Sequence, residues 1–189
     1  MKVNLHCRNF DQNVKDAIVG MTAYGLTKLL PDREKLLDNV EIDVHMRRHI
    51  DGGEAKIKPG TNVYRPRKFQ IILDHRKMNE DEYGRRREGD EWVHQILETL
   101  AHELVHIKQY LVGELTWRSG TLRWKNKDFS PEDLIDYFEL PYEIEAHGRQ
   151  SGLFLAFISV WDDFVKNLEQ IAKGETEQVA SPTDCKSAV

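Results

Sequence analysis

The string Leu100-Ala-His-Glu-Leu-Val-His106 sets two imidazoles four residues apart, with a carboxylate immediately after the first. On a helix, His102 and His106 project from one face about one turn apart, so both rings can bind a single tetrahedral metal ion. Glu103 is offset by one position and stands beside such an ion rather than on it. From there it can take a proton from a water that the metal activates and later deliver it to a leaving amine. A catalytic zinc site also needs a third protein ligand and an open fourth position. Pro141-Tyr-Glu-Ile-Glu-Ala-His147 offers candidates. Pro141 suits the first turn of a helix, which sets Glu143 near the positive end of the helix dipole, where an ionised carboxylate is favoured. Glu143 and His147 share a face and either can serve; Glu145 points the other way. Ala146 is small enough to let two helices approach closely. Tyr110, Tyr137, Tyr142 and Arg149 are each candidates for steadying negative charge on a reacting carbonyl oxygen, and the sequence does not choose among them.

The elements that must hold these residues follow from hydrophobic periodicity. Asp90 can cap, and Gly113 can end, a long helix whose apolar stripe is Ile96, Leu97, Leu100, Leu104, Ile107 and Leu111. Asp11 caps an earlier helix over about 12–30, with Val14, Ile18, Met21 and Leu26 at helical spacing and Pro31 as its stop. Between them the period changes to two. Val40–Met46 alternates as a half-buried strand, Ala55–Pro59 reads as a short strand after the Gly52-Gly53 turn, and Phe69–Leu73 as a further strand. Residues 76–90 are polar and read as a loop. Leu115–Arg118 and Thr121–Trp124 flank Ser119-Gly120 as a hairpin. Ser130-Pro131 opens a short helix. Pro141 opens another running to about Lys173, with Gly148 to Gly152 as the place for a kink. The expectation is one α/β (α+β) domain over residues 1–173: a small mixed sheet packed on the HExxH helix, with further helices C-terminal. Residues 174–189 have no aromatic side chain and are expected to be a disordered tail.

Composition bounds the partners. A chain of 189 residues with 40% apolar and 31% charged side chains is globular and sized for one core. A formal charge of −5 argues against a general nucleic-acid binder. No apolar run reaches the ~18 residues of a membrane span, and the start lacks a secretory core, so a cytoplasmic setting is expected. Cys7 and Cys185 cannot build a disulfide framework or a Cys-rich zinc ribbon. Residues 128–147 hold 7 acids and no Lys or Arg, a wall that favours cations or basic peptides.

Other features have plainer readings. His45 and His49 are also four apart, but they fall in an alternating segment, where that spacing carries no helical pairing. His94 reads as a surface residue and Arg85–Arg87 as a solvated charge run. Trp117 and Trp124 with Arg118, Arg123, Lys125 and Lys127 fit a hairpin with one packed and one wet face better than a single-strand nucleic-acid platform.

An HExxH followed by a separate ExxA helix resembles the zincin metallopeptidases whose third ligand is glutamate, the gluzincins. The small size and compact spacing resemble the minigluzincins and, more loosely, the SprT-like and ImmA/IrrE-like peptidases, over roughly residues 64–150. The resemblance implies a zincin-like fold with Zn2+ on His102, His106 and Glu143, Glu103 as general base and acid, and water as nucleophile. It also implies a rim strand, taken as Phe69–Leu73, that pairs with an extended peptide substrate. Many gluzincins have an Asp four residues after the third ligand; here His147 stands there, in a supporting role toward His102 or substrate. The expected activity is zinc-dependent endopeptidase hydrolysis. The alternative is a zincin-fold binding or regulatory module that keeps the metal without turnover. Substrate, cleavage preference, need for a partner and oligomeric state are not legible.

Overall fold

The computed structural model describes residues 1–8, 10–47, 52–76, 84–86, 90–118, 120–129 and 137–179, from 164 onward as backbone alone. A four-stranded sheet forms the base. Its strands are β1 (Lys2–His6), β2 (Glu41–Arg47), β3 (Gly53–Ile57) and β4 (Lys68–Asp74), in the spatial order β1-β2-β4-β3. β1, β2 and β4 run parallel, and β3 runs antiparallel to β4. Two helices cover one face: α1 (Gln12–Leu29) and α3 (Glu91–Val112), the latter carrying HExxH. A short α2 (Glu34–Leu37) leads into β2. Beyond α3 come a second antiparallel sheet, β5 (Leu115–Arg118), β6 (Thr121–Trp124) and β7 (Lys127–Phe129), a 3-10 turn over Tyr137–Glu139, and α4 (Pro141–Val179).

Side chains alternate across a strand, and this alternation builds the core. Ile42 and Val44 of β2 and Phe69, Ile71 and Leu73 of β4 are fully or almost fully buried against Ile18, Met21 and Leu26 of α1 and Ile96, Leu100, Leu104 and Ile107 of α3. Each such side chain stabilises the fold by roughly 1.5–3 kcal/mol through burial. Gly25 lets α1 lie close on α3, since a Cβ there would meet Leu104 Cδ1 at 2.7 Å. The Asp11 carboxylate accepts from the Asn13 N–H at 2.8 Å, as the cap reading requires. Gly113 ends α3 at φ 76°, with the Glu114 N–H donating back to the Gln109 carbonyl at 2.9 Å. Among the described residues no helix is long and apolar enough to cross a membrane.

Three readings change. Phe69–Leu73 is not a rim strand. β4 is paired on both sides, and its run of buried apolar residues is what an interior strand shows. The rim is β3, whose Glu54 and Lys56 suit an edge. The Asp90 side chain makes no capping hydrogen bond to α3. β1 and β7 are strands that periodicity did not single out. α4 is one continuous helix through Gly148 and Gly152 to Val179. The short helix expected at Ser130-Pro131, most of the 76–90 loop, His49, Arg87 and residues 180–189 of the tail lie outside the described residues.

Candidate metal centre

α3 and α4 meet where the chemistry was expected. His102, Glu103, His106 and Glu143 are all buried, at 6%, 3%, 8% and 5% exposure. Ala146, with no exposure, sits in this contact and allows the close approach. His102 Nε2 lies 3.2 Å and His106 Nε2 3.3 Å from Glu143 Oε2, and the two Nε2 atoms are 3.1 Å apart. A tetrahedral zinc with bonds of ~2.0 Å has ligand atoms about 3.3 Å apart. The three atoms therefore have the spacing of one face of that tetrahedron.

The far sides of the rings decide which nitrogens face inward. His106 Nδ1 lies 2.9 Å from Gln109 Oε1. The Gln109 amide N–H groups are committed to the Tyr142 carbonyl at 2.9 Å and Glu145 Oε2 at 3.2 Å, so its oxygen must be the acceptor. His106 then carries its proton on Nδ1 and turns a bare Nε2 lone pair toward the centre. His102 Nδ1 makes the same contact with Gln150 Oε1 at 2.9 Å. Two imidazole nitrogens and a carboxylate oxygen thus converge within 3.3 Å, and with both nitrogens unprotonated a cation relieves their mutual repulsion. The donor set, two nitrogens and one carboxylate oxygen, fits zinc.

Glu103 lies between α3 and the rim strand. Gly53 makes the space: a Cβ there would lie 2.5 Å from Glu103 Oε1 and 2.8 Å from Thr99 Cγ2. The Ala55 N–H donates to the Glu103 carboxylate. Burial pushes the Glu103 carboxyl up to about 7, with His106 and His102 pulling down and Glu143 adding to the rise. Glu143 goes the other way. Burial opposes its ionisation, but in the metal-free protein His102 and His106, which donate to it when their rings are protonated, together with the Tyr137 hydroxyl, hold it far below the ordinary carboxylate range. Two carboxylates on one cleft are pushed apart, one toward proton exchange and one toward permanent charge.

The cleft holds about 220 Å³. Glu103, His106 and Glu143 lie on one side, Gly53, Glu54 and Ala55 of β3 form the rim, and Leu115, Leu122, Tyr110, Tyr137 and Tyr142 close the rest. The β5–β6 hairpin thus walls the site with Leu115 and Leu122, while Trp117 is 44% exposed. The Tyr137 hydroxyl donates to Glu143 Oε2 at 2.7 Å. Tyr142 stands edge-on to His106, ring centroids 6.2 Å apart.

The remaining candidates divide. His147 is exposed and packs its ring on His102, centroids 4.5 Å apart. It brings a ring nitrogen within 4.8 Å of ligand atoms of His102 and Glu143, a looser set than the 3.1–3.3 Å one that contains His106. Arg149 does not reach the cleft; it pairs with Glu145 at 3.1 Å on the exposed side of α4. Glu145 faces away from the ligands, as its position on the helix predicts, but it is not idle. It holds Lys108 at 3.0 Å and the Gln109 amide that orients His106. His94 is exposed and lies against Phe154. Sequence reasoning missed Gln109 and Gln150. The available signal was their helical phase: Gln109 follows His106 by three residues, and Gln150 follows Glu143 by seven. Compared with protein families, curated proteins and solved structures, the chain has no significant match.

Proposed function

We propose that the chain is a zinc-dependent endopeptidase. The observation that supports this most is the convergence of two imidazole nitrogens and one carboxylate oxygen within 3.3 Å, beside a buried carboxyl that exchanges protons near neutrality. His102, His106 and Glu143 would hold the ion, which when bound supplies a more acidic water and Lewis-acid polarisation of a carbonyl. The rest is the work of the chain's own residues. Glu103 takes a proton at its carboxylate from the attacking water and passes it to the leaving amine. Gln109 and Gln150 fix the two rings in one tautomer and orientation. Tyr142 lines the cleft, and the Tyr137 hydroxyl, which donates to Glu143 Oε2, steadies that carboxylate.

The rim strand supplies peptide binding. The ladder bonds Asp74 N–H to Gly52 carbonyl and Lys58 N–H to Lys68 carbonyl, both 2.9 Å, set its register. Counting in twos along an antiparallel pair, Gly53, Ala55 and Ile57 turn their backbone N–H and carbonyl groups away from β4, toward the cleft. The Ala55 N–H is already donated to Glu103, so an extended peptide laid along this edge would be held by the remaining main-chain groups, with its scissile carbonyl over the centre.

The test is cleavage of an unstructured protein by zinc-loaded chain, with chelator and zinc add-back. Glu103→Gln should keep the metal and lose of order 10²–10⁴ in rate. Equal hydrolysis by Glu103→Gln would remove Glu103 from the mechanism. Bound zinc with no cleavage across a broad peptide library would instead support the non-catalytic binding module.

A further inference from the structure

We propose a second transition-metal site, formed by His6, Asp43 and His45 on the face of the sheet opposite α3. Alternation puts it there. Ile42 and Val44 of β2 are buried in the helix-side core, so Asp43 and His45 project from the other face. In the parallel pairing of β1 with β2, His6 stands directly beside His45, and Asn4 beside Asp43. The three side chains therefore come from two hydrogen-bonded strands, among the most rigid supports a ligand set can have.

One ligand atom from each residue lies within 4.8 Å of the others. His6 Nε2 is 4.0 Å from Asp43 Oδ1, and the two imidazoles stack with centroids 4.3 Å apart and planes 7° off parallel. Asp43 is 6% exposed and already positioned: Oδ1 accepts from the Asn4 amide at 2.8 Å and Oδ2 from Lys58 at 2.6 Å. Oδ1 keeps a second lone pair on the side of His6.

Two imidazoles and one carboxylate with open remaining positions suit zinc, nickel, cobalt or copper, and not calcium or magnesium. The spacing here is wider than the 3.1–3.3 Å of the α3 centre, so binding requires His6 to swing out of the stack. Its side chain is 50% exposed and has room to do so. The second site is accordingly the weaker of the two.

Calorimetric titration of the full chain with Ni2+ and Zn2+ separates the sites. The parent should take two equivalents, the weaker one lost in His6→Ala and in His45→Gln. The double variant His102→Ala/His106→Ala should retain that weaker equivalent. His6 is exposed, so His6→Ala leaves the core intact, and an unchanged melting temperature in chelator verifies it. If His6→Ala and His45→Gln both keep the parent's stoichiometry and affinity, the second site is refuted while the α3 centre stands. If the double variant loses nothing and His6→Ala loses the only equivalent, the outer site stands and the peptidase centre falls.

Discussion

Glu103 and Glu143 face one cleft, yet burial dominates the first and hydrogen-bonding partners dominate the second. The consequence is testable in metal-free protein. Glu103 binds its proton more tightly folded, near pH 7, than unfolded, near 4.5, so between those values the folded state carries the extra proton. Stability from this group is therefore present below pH ~4.5 and is lost as pH rises through 7, by up to ~3 kcal/mol. Glu143 works in the opposite sense: its depressed value contributes stability above the unfolded range that disappears on acidification. In chelator, Glu103→Gln should match the parent at pH 4.5 and exceed it at pH 8 in urea unfolding. A difference that does not vary with pH would mean Glu103 titrates normally. The same carboxylate depends on Gly53. Gly53→Ala should leave zinc affinity unchanged and lower hydrolysis ~10–100-fold, because the added Cβ displaces Glu103 by a fraction of an ångström to an ångström. For the metal itself, Glu143→Ala should cost most affinity in chelator competition, with Gln109→Ala and Gln150→Ala each ~10–100-fold weaker. His147→Ala, which loses a ring contact and no ligand, should cost less than either. Metal release by His147→Ala with retention in Glu143→Ala would make this a three-histidine site.

Among the elements, the helices and the HExxH string were legible because their signals are local. Asp11 caps through its carboxylate, Pro31 and Gly113 punctuate helices through their backbone, and the apolar stripe of α3 repeats over about four turns. Sheet order is not local. Phe69–Leu73 and Ala55–Pro59 both read as strands, but which one borders the cleft depends on pairings across the whole sheet. The unbroken apolar run Ile71-Ile72-Leu73, in place of alternation, was the available hint that β4 lies inside. β1 is five residues long, Lys-Val-Asn-Leu-His, too short for its alternation to stand out. The amides behind the histidines escaped for another reason: Gln109 and Gln150 are ordinary helix formers, and only the fold aims them at ring nitrogens. The edge strand carries its own prediction. N-methylation of a peptide substrate at amides that face β3 should raise KM several-fold, whereas the intervening amides, which point away, should tolerate it. Equal tolerance at all positions would show that substrate does not bind as an added strand.

At the level of the whole molecule, the centre sits on the largest helix–helix contact, where α3 meets α4. Without a cation this seam brings together two buried carboxyls and two imidazoles, groups whose desolvation the apolar core does not offset. A cation that binds only the folded chain adds RT ln(1 + [L]/Kd), about 2.7 kcal/mol at a hundredfold excess over Kd. For a chain of this size each kcal/mol moves the melting temperature by ~2–4 °C, so zinc should raise it by ~5–11 °C over the chelated protein. Most of that rise should vanish in His102→Ala/His106→Ala, since the outer site is weaker and joins strands already tied by their ladder. His6→Ala should keep nearly all of it. A rise that survives the double variant and disappears in His6→Ala would locate the stabilising ion on the outer face of the sheet, leaving the seam between α3 and α4 to be held by packing and by the bonds from Lys108 and Gln109 to Glu145.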